Sequence, residues 1–249
     1  MQLTVVGCAG SFPRADAACS SYLVEAEGFR LLLDMGNGAL GALQRHIGLY
    51  DLDALLVTHL HGDHCLDACS YVVARRFCPD GPLPPLPLYA PAGSLGRLAR
   101  AYEIDPREAK LDEIYDERVL VPGALEVGPF QLTVDRTNHP VETYGVRIEH
   151  GGRTLTYSAD SGPSDKLVEL ARDGDVFLCE ASFQAGRRNP PNLHLTGTEA
   201  GAHAGRAGAG RLLLTHLTAW GDPARSLDEA ASTFSGPVTV VAGGETYEI

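Results

Sequence analysis

The chain has 249 residues, of which 44% are hydrophobic, and a formal net charge of −12 at pH 7. This length is enough to bury a large core as one domain, or at most as two small ones. The negative charge argues against a general binder of nucleic acids or anionic membranes, because both would repel the chain at long range.

Short apolar runs rich in Val, Leu, Thr or Tyr recur along the chain and predict strands. They lie at 3–6, 21–25, 30–33, 54–58, 86–89, 130–134, 144–148, 154–157, 176–179, 211–215 and 238–241. Helical patterns between them predict helices at 38–47, 64–76, 93–102, 165–173, 198–207 and 223–234. The fifth helix follows a capping-box sequence, Thr196-x-x-Glu199. No linker divides this mixture, so we predict one α/β domain spanning residues 1–249.

The N-terminus, MQLTVVGCAG, lacks the basic region, the apolar run and the cleavage signal of a secretory leader. No apolar stretch approaches the roughly 20 residues that a membrane helix needs. We therefore predict a cytoplasmic protein without a membrane partner. Its six cysteines are expected to be reduced thiols that serve as small buried apolar residues.

The segment LLVTHLHGDH places three of the nine histidines and one aspartate directly after a predicted strand. His59 and His61 are two residues apart and can share one metal ion, while Asp63 and His64 can serve a second ion. Imidazole and carboxylate ligands suit zinc, with manganese and iron as alternatives. The other interpretation is a solvated loop that is rich in histidine by chance.

Four residues cannot complete two metal sites, so further ligands are needed. His139, Asp160 and His216 each follow a predicted strand. Considered singly, His139 would be interpreted as a loop histidine, Asp160 as a turn former and His216 as a buried core histidine. Taken together with the segment above, they favour a metal site at one edge of the sheet.

The motif THLHGDH, with the downstream His139, Asp160 and His216, resembles the metallo-β-lactamase superfamily of dinuclear hydrolases. GCAGSFP, DVFLCEASF and HLTGTEAGAHAGRAGAGRLLLTH resemble motifs of its ribonuclease Z-like branch, although Cys8 and Ala9 depart from the commoner small residues. The resemblance implies a four-layer αββα sandwich. It also implies one site made of His59, His61 and His139, a second made of Asp63, His64 and His216, and Asp160 as the bridging ligand.

The expected reaction is hydrolysis by a hydroxide that two divalent ions generate, and Asp63 is a candidate to orient it. Opening a lactam, hydrolysing a thioester and cutting a phosphodiester differ in the leaving group. A thiolate, with a pKa of about 8.5, departs unaided, whereas an alkoxide benefits from a proton donor. His194 matches the branch's histidine and is the candidate general acid, with Glu180 orienting it. These residues favour a phosphodiesterase.

Ribonuclease Z carries a protruding arm that grips tRNA, and this chain has no room for one. Only 20 residues separate His139 from Asp160, and two predicted strands already use them. The arm-less sequence and the negative charge disfavour long nucleic acids and favour a small anionic phosphodiester, cAMP-like, as the substrate.

Three alternatives remain: an RNA 3′-processing nuclease, another metallohydrolase such as a lactonase, thioesterase or lactamase, and a metal-containing scaffold without turnover. A homodimer is plausible from the resemblance. Arg75, Arg76, Arg187 and Arg188 could contact phosphate, but a solvated helix face and a solvated loop are the favoured interpretations of the two pairs.

Overall fold

The computed structural model describes residues 1–249, and its fifteen strands form two sheets. The first sheet has the strand order β15-β1-β3-β4-β5-β6-β7, with β2 paired to β1. Its strands are β1 (Gln2–Ala9), β2 (Ala18–Cys19), β3 (Ser21–Ala26), β4 (Phe29–Leu33), β5 (Ala54–Leu56), β6 (Leu86–Ala90), β7 (Tyr115–Val119) and β15 (Thr246–Glu248).

The second sheet has the order β14-β13-β12-β11-β10-β9-β8. Its strands are β8 (Gly123–Val127), β9 (Phe130–Arg136), β10 (Tyr144–His150), β11 (Arg153–Tyr157), β12 (Val176–Glu180), β13 (Arg211–Thr215) and β14 (Val238–Val240). Strands β11 to β14 pair in parallel, whereas β8 to β11 pair antiparallel. The parallel strands therefore end at the same edge of the sheet.

Seven α-helices cover the outer faces of the two sheets. They are α1 (Ala39–Leu43), α2 (Gly62–Cys65), α3 (Asp67–Arg76), α4 (Ser94–Ala101), α5 (Asp165–Leu170), α6 (Gly197–Ala207) and α7 (Pro223–Ala231), and a short 3₁₀ helix spans Leu111–Glu113. One apolar cluster joins the first sheet to α1–α4, and another joins the second sheet to α5–α7. A third cluster fills the space between the sheets, so the predicted αββα sandwich is confirmed.

The central strands are apolar on both faces because each lies between a helix layer and the opposite sheet. In β4, Leu31 and Leu33 face the other sheet while Leu32 faces the helices. In β12, Leu178 faces the other sheet and Phe177 faces the helices. This two-sided burial explains the continuous apolar runs that made these strands visible in the sequence.

Four strands were not predicted, and three of them are edge strands. β7 and β15 form the two edges of the first sheet, and β8 forms an edge of the second. β7 reads YDERV, and most of its residues are exposed. Edge strands bury little and carry charges that discourage pairing with other chains, so the apolar pattern of a strand is weak there.

Helix boundaries differ from the prediction near the histidine-rich segment LLVTHLHGDH. The predicted helix 64–76 is two helices, because α2 begins at Gly62 and ends at Cys65 before α3 begins at Asp67. The structure confirms the capping box of α6, in which Thr196 and Glu199 each accept a hydrogen bond from the other's backbone. None of the helices has the length and apolar character required to cross a membrane. All six cysteines are unpaired, and burial raises the pKa of Cys65 to about 12.

Candidate active site

The predicted metal ligands all lie just beyond strand ends, on loops at one edge of the sandwich. His59 and His61 follow β5, and the chain then enters α2 with Asp63 and His64. The others follow strands of the second sheet: His139 after β9, Asp160 after β11 and His216 after β13. The structure brings all seven side chains together in two adjoining clusters.

The first cluster contains His59, His61, His139 and Asp160. His59 Nε2 lies 3.1 Å from His61 Nδ1, and His139 Nε2 lies 3.3 Å from the same atom. Asp160 Oδ2 is 3.6 Å from His59 Nε2 and 3.9 Å from His139 Nε2. Three ring nitrogens and one carboxylate oxygen therefore converge on one point.

The second cluster contains Asp63, His64, His216 and the other oxygen of Asp160. His64 Nε2 lies 3.2 Å from His216 Nε2 and 3.1 Å from Asp160 Oδ1. Asp63 Oδ2 is 3.1 Å from His216 Nε2. Asp160 thus offers one oxygen to each cluster.

These separations fit a pair of bound cations. Ligand atoms at zinc bond lengths in a tetrahedron stand about 3.3 Å apart, close to the distances within each cluster. Asp160 Oδ1 is buried and has no hydrogen-bond partner, an arrangement that is costly unless a cation completes it. The clusters are therefore suited to a dinuclear metal site.

The protonation states of the first cluster's histidines and of the two carboxylates favour cation binding. Burial lowers the pKa of His59, His61 and His139, which keeps these imidazoles neutral and their lone pairs available. Burial alone would raise the pKa of Asp63 and Asp160, but His216 and His64 outweigh it and lower both below the ordinary value. Both carboxylates are thus anionic.

The remaining ring nitrogen of four histidines is held by a neighbour. His59 Nδ1 lies 3.1 Å from Thr58 Oγ1, and His139 Nδ1 lies 2.9 Å from the carbonyl oxygen of Leu193. His64 Nδ1 is 2.7 Å from Asp34 Oδ2, and His216 Nδ1 is 2.7 Å from Ser182 Oγ. Such contacts fix the tautomer and the ring orientation, so that Nε2 faces the cluster in each case.

His194 and Glu180 form a pair beside both clusters. His194 Nδ1 lies 2.8 Å from Glu180 Oε1, and the His194 ring centroid is 5.5 Å from that of His216 and 5.6 Å from that of His139. Burial opposes protonation of His194, but the fully buried Glu180 outweighs it and raises the pKa of His194 to about 9. His194 can therefore carry a proton at neutral pH.

Ser182 connects this pair to the second cluster. Its hydroxyl lies 3.0 Å from Glu180 Oε2 as well as 2.7 Å from His216 Nδ1. With His216 Nε2 facing the cluster, Nδ1–H donates to Ser182, whose hydroxyl donates to Glu180. One carboxylate thus supports both His194 and, through Ser182, a ligand-type histidine.

The family model described as "Beta-lactamase superfamily domain" matches residues 29–217, which include all seven candidate ligand positions. The chain belongs to the metallo-β-lactamase superfamily. Within it, the ribonuclease Z-like branch is supported. A ribonuclease Z of Mycolicibacterium gilvum is 32% identical, over 87% of this chain and 84% of that protein.

Other proteins match the whole chain. The probable metallo-hydrolase YhfI of Bacillus subtilis is 32% identical over 100% of both chains, and its crystal structure superposes with a TM-score of 0.89 over 99% of each. An uncharacterized protein of Mycobacterium leprae is 43% identical over 100% of this chain and 89% of its own length. These matches place the chain in a family of metallo-hydrolases.

Asp34 also belongs to the site of this metallo-hydrolase, although it was not predicted from the sequence. This residue directly follows β4 and is fully buried. Its carboxylate accepts hydrogen bonds from Thr58 N at 2.7 Å, from Thr58 Oγ1 at 3.0 Å and from Tyr157 OH at 3.0 Å. The same carboxylate contacts His64 Nδ1. Burial alone would lower the pKa of His64, but Asp160 and Asp34 raise it well above the ordinary value. The available signal was an aspartate ending the buried run LLLD, next to the strand that carries the histidines.

The backbone at the site is strained. Asp34, Ala159 and His216 have φ values of 60°, 51° and 56°, which residues with a Cβ atom rarely adopt. Strain of this kind persists where the surrounding structure over-determines it, typically at functional sites. A helical or extended backbone at these positions would aim the carboxylates and imidazoles elsewhere.

The four arginines that were candidate phosphate contacts have different environments in the structure. Arg75 is buried and donates to the carbonyl oxygen of Pro84 at 2.5 Å, so its assignment to a solvated helix face was wrong. Arg76 donates to the carbonyl oxygens of Ala109 and Lys110. Arg187 and Arg188 are exposed on a loop, as the favoured interpretation expected.

Proposed function

We propose that this chain is a metal-dependent phosphodiesterase whose substrate is a small cyclic nucleotide such as cAMP. The observation that carries the proposal is the His194–Glu180 pair beside the two clusters. A thioester expels a thiolate that needs little help, whereas the sugar alkoxide of a nucleotide benefits from a proton donor. A buried carboxylate that keeps a nearby imidazole protonated is suited to that step.

The ligand set proposed for the two cations is His59, His61, His139, Asp63, His64, Asp160 and His216. Zinc suits a site of imidazole and carboxylate ligands, and manganese and iron are alternatives. When bound, two divalent cations supply the Lewis acidity that ionises water near pH 7 and neutralises the phosphate.

The chain's own residues then have separate roles. Asp63 accepts a hydrogen bond from Ser11 N at 2.9 Å, which fixes its carboxylate for orienting the attacking water. Glu180 holds the Nδ1 proton of His194, so the proton on His194 Nε2 is the one available for the departing oxygen.

The choice of a small substrate rests on two features: the chain has no tRNA-binding arm in this region, and its net charge is negative. Between His139 and Asp160, the chain forms the hairpin of β10 and β11, which turns at Gly151 and Gly152. Nothing in that hairpin extends beyond the sheet pairing. A net charge of −12 also opposes the many phosphate contacts that tRNA binding requires.

A second candidate is ribonuclease Z activity, favoured by the 32% identical ribonuclease Z. Both candidates use the same proton donor and the same cations, and they differ in substrate size. Homodimerisation and a cytoplasmic location remain predictions from the sequence.

The test is a turnover panel with zinc- and manganese-loaded protein. The panel contains cAMP, cGMP, 2′,3′-cyclic nucleotides, bis-p-nitrophenyl phosphate and a precursor tRNA, with His61→Ala as the control for contaminating activity. We expect the highest kcat/KM for a cyclic nucleotide. Preferred cleavage of the precursor tRNA would overturn the proposed substrate.

A further inference from the structure

Two aromatic side chains contact each other on the surface of the protein. The rings of Phe12 and Trp220 have centroids 5.0 Å apart and an interplanar angle of 47°. Phe12 is 39% exposed and Trp220 is 62% exposed. Large aromatic side chains usually bury most of their surface, so this pair leaves an unusual apolar area in contact with water.

The chain segments that carry the pair are attached to the second cluster. Phe12 follows Ser11, whose backbone N–H donates to Asp63 Oδ2 at 2.9 Å. Trp220 lies four residues after His216 in the same loop. The backbone N–H of Gly10 donates to the carbonyl oxygen of Leu217 at 3.1 Å and joins the two segments.

Close packing fixes this junction. A Cβ atom on Gly10 would lie 2.3 Å from the carbonyl oxygen of His216, so only glycine fits there. Ser11 has a φ of 66°, which turns the chain sharply before Phe12. The aromatic pair is therefore held at a defined position beside the metal clusters rather than on a free loop.

We propose that the Phe12–Trp220 pair binds the nucleobase of the substrate by stacking. This inference rests on the proposed function, because it concerns the same site. About five bonds separate the phosphorus of a cyclic nucleotide from its base, a reach of roughly 6 Å. Ser11 contacts Asp63 of the second cluster. The distance from Ser11 to the Phe12 ring is one residue step plus the length of a side chain, which is comparable with the reach from phosphorus to base.

Stacking on an aromatic side chain tolerates every base, because each base has a π-face. The pair therefore gives affinity for nucleotides without strong selection among bases. Loss of one stacking partner is expected to weaken nucleotide binding about 5- to 100-fold. A ligand with the same phosphate and sugar but no base loses nothing.

Trp220 is the only tryptophan of the chain, so fluorescence excited selectively in tryptophan reports on this site alone. Metal-loaded protein is titrated with AMP and, in parallel, with ribose 5-phosphate. We expect AMP to quench the fluorescence saturably and ribose 5-phosphate to leave it unchanged. No quenching by AMP at concentrations that inhibit turnover would overturn the base site.

Variants provide the second measurement. Phe12→Ala and Trp220→Leu are expected to raise KM for cAMP about 5- to 100-fold with little change in kcat, and to leave KM for a base-free ribose cyclic phosphate unchanged. Trp220→Phe retains a ring and is expected to keep KM near the wild-type value. Phe77→Ala removes a ring that is more exposed than either member of the pair, on the segment after α3, and serves as the control.

The outcomes separate this inference from the proposed function. Hydrolysis of cAMP with an unchanged KM in Trp220→Leu overturns the base site and leaves the phosphodiesterase intact. Equal losses on cAMP and on the base-free substrate identify the pair as a structural contact and also overturn the base site. Absence of turnover on every cyclic nucleotide overturns the proposed function, while the quenching experiment still decides whether nucleotides bind.

Discussion

Glu180 and His194 are joined by a hydrogen bond of 2.8 Å between Oε1 and Nδ1, in a pair whose carboxylate is fully buried. The carboxylate raises the pKa of His194 to about 9 against the effect of burial. A proton donor works only while it is protonated, so turnover is expected to fall as the pH rises through the pKa of His194. The pair is thus expected to determine the alkaline limb of the pH profile.

Glu180→Gln is expected to move that alkaline limb to lower pH. The amide keeps a hydrogen-bond acceptor but removes the negative charge, so the pKa of His194 falls and the proton is lost earlier. The measurement is kcat/KM for cAMP across the range from pH 6 to 10. An alkaline limb at the wild-type position in this variant would show that His194 is not the titrating acid.

His194→Ala is expected to lower kcat for cAMP about 10²- to 10⁴-fold, because general acid catalysis contributes that much. The loss on bis-p-nitrophenyl phosphate should be much smaller, since p-nitrophenolate departs without a proton. Bound metal, measured by elemental analysis, should equal that of the wild type. Equal losses on the two substrates would remove the general-acid assignment.

Asp34→Asn is expected to weaken metal binding about 10- to 100-fold, the usual effect of losing the partner that orients a metal-binding histidine. The amide has nearly the same size, but it no longer offers His64 an anionic acceptor. Zinc affinity is measured by competition with a chelator. Asp116→Asn, on the exposed edge strand β7, is the matched control and should bind zinc like the wild type.

Removal of metal is expected to lower the melting temperature. When metal is removed, Asp63, Asp160 and the five imidazoles of the two clusters are left in close contact, and any ligand that binds only the folded state adds stability by mass action. At a free zinc concentration 1,000 times Kd, that contribution is about 4 kcal/mol. The measurement compares melting with and without chelator, and His216→Ala should respond less to zinc than the wild type does.

Arg75→Ala is expected to destabilise the fold by about 1–3 kcal/mol without changing KM. The substitution leaves the carbonyl oxygen of Pro84 without its donor and removes the guanidinium that stacks on the Tyr71 ring. Arg187→Ala, on an exposed loop, should leave the free energy of unfolding unchanged. Denaturant unfolding with KM measured in parallel distinguishes the two, and a raised KM in Arg75→Ala at full stability would restore Arg75 as a substrate contact.

The sequence was sufficient for the fold class and for the residues that converge in the two clusters. Buried strands show apolar runs that are local in the chain, and His59, His61, Asp63 and His64 are adjacent, so each signal can be read from a short window. His139, Asp160 and His216 were found because each follows a recognisable strand. Strands such as β7 lacked that signal because an edge strand buries only part of its surface.

Only the tertiary structure decided which side chains support the ligands. Asp34 reaches His64 and Ser182 reaches His216 across 30 and 34 residues of sequence. Phe12 meets Trp220 across most of the chain. Such pairs cannot be predicted from the periodicity or composition of the sequence. They depend on how the two sheets pack and on backbone angles at single residues such as His216. The sequence determines which groups stand at the strand ends, and long-range packing determines which of them touch.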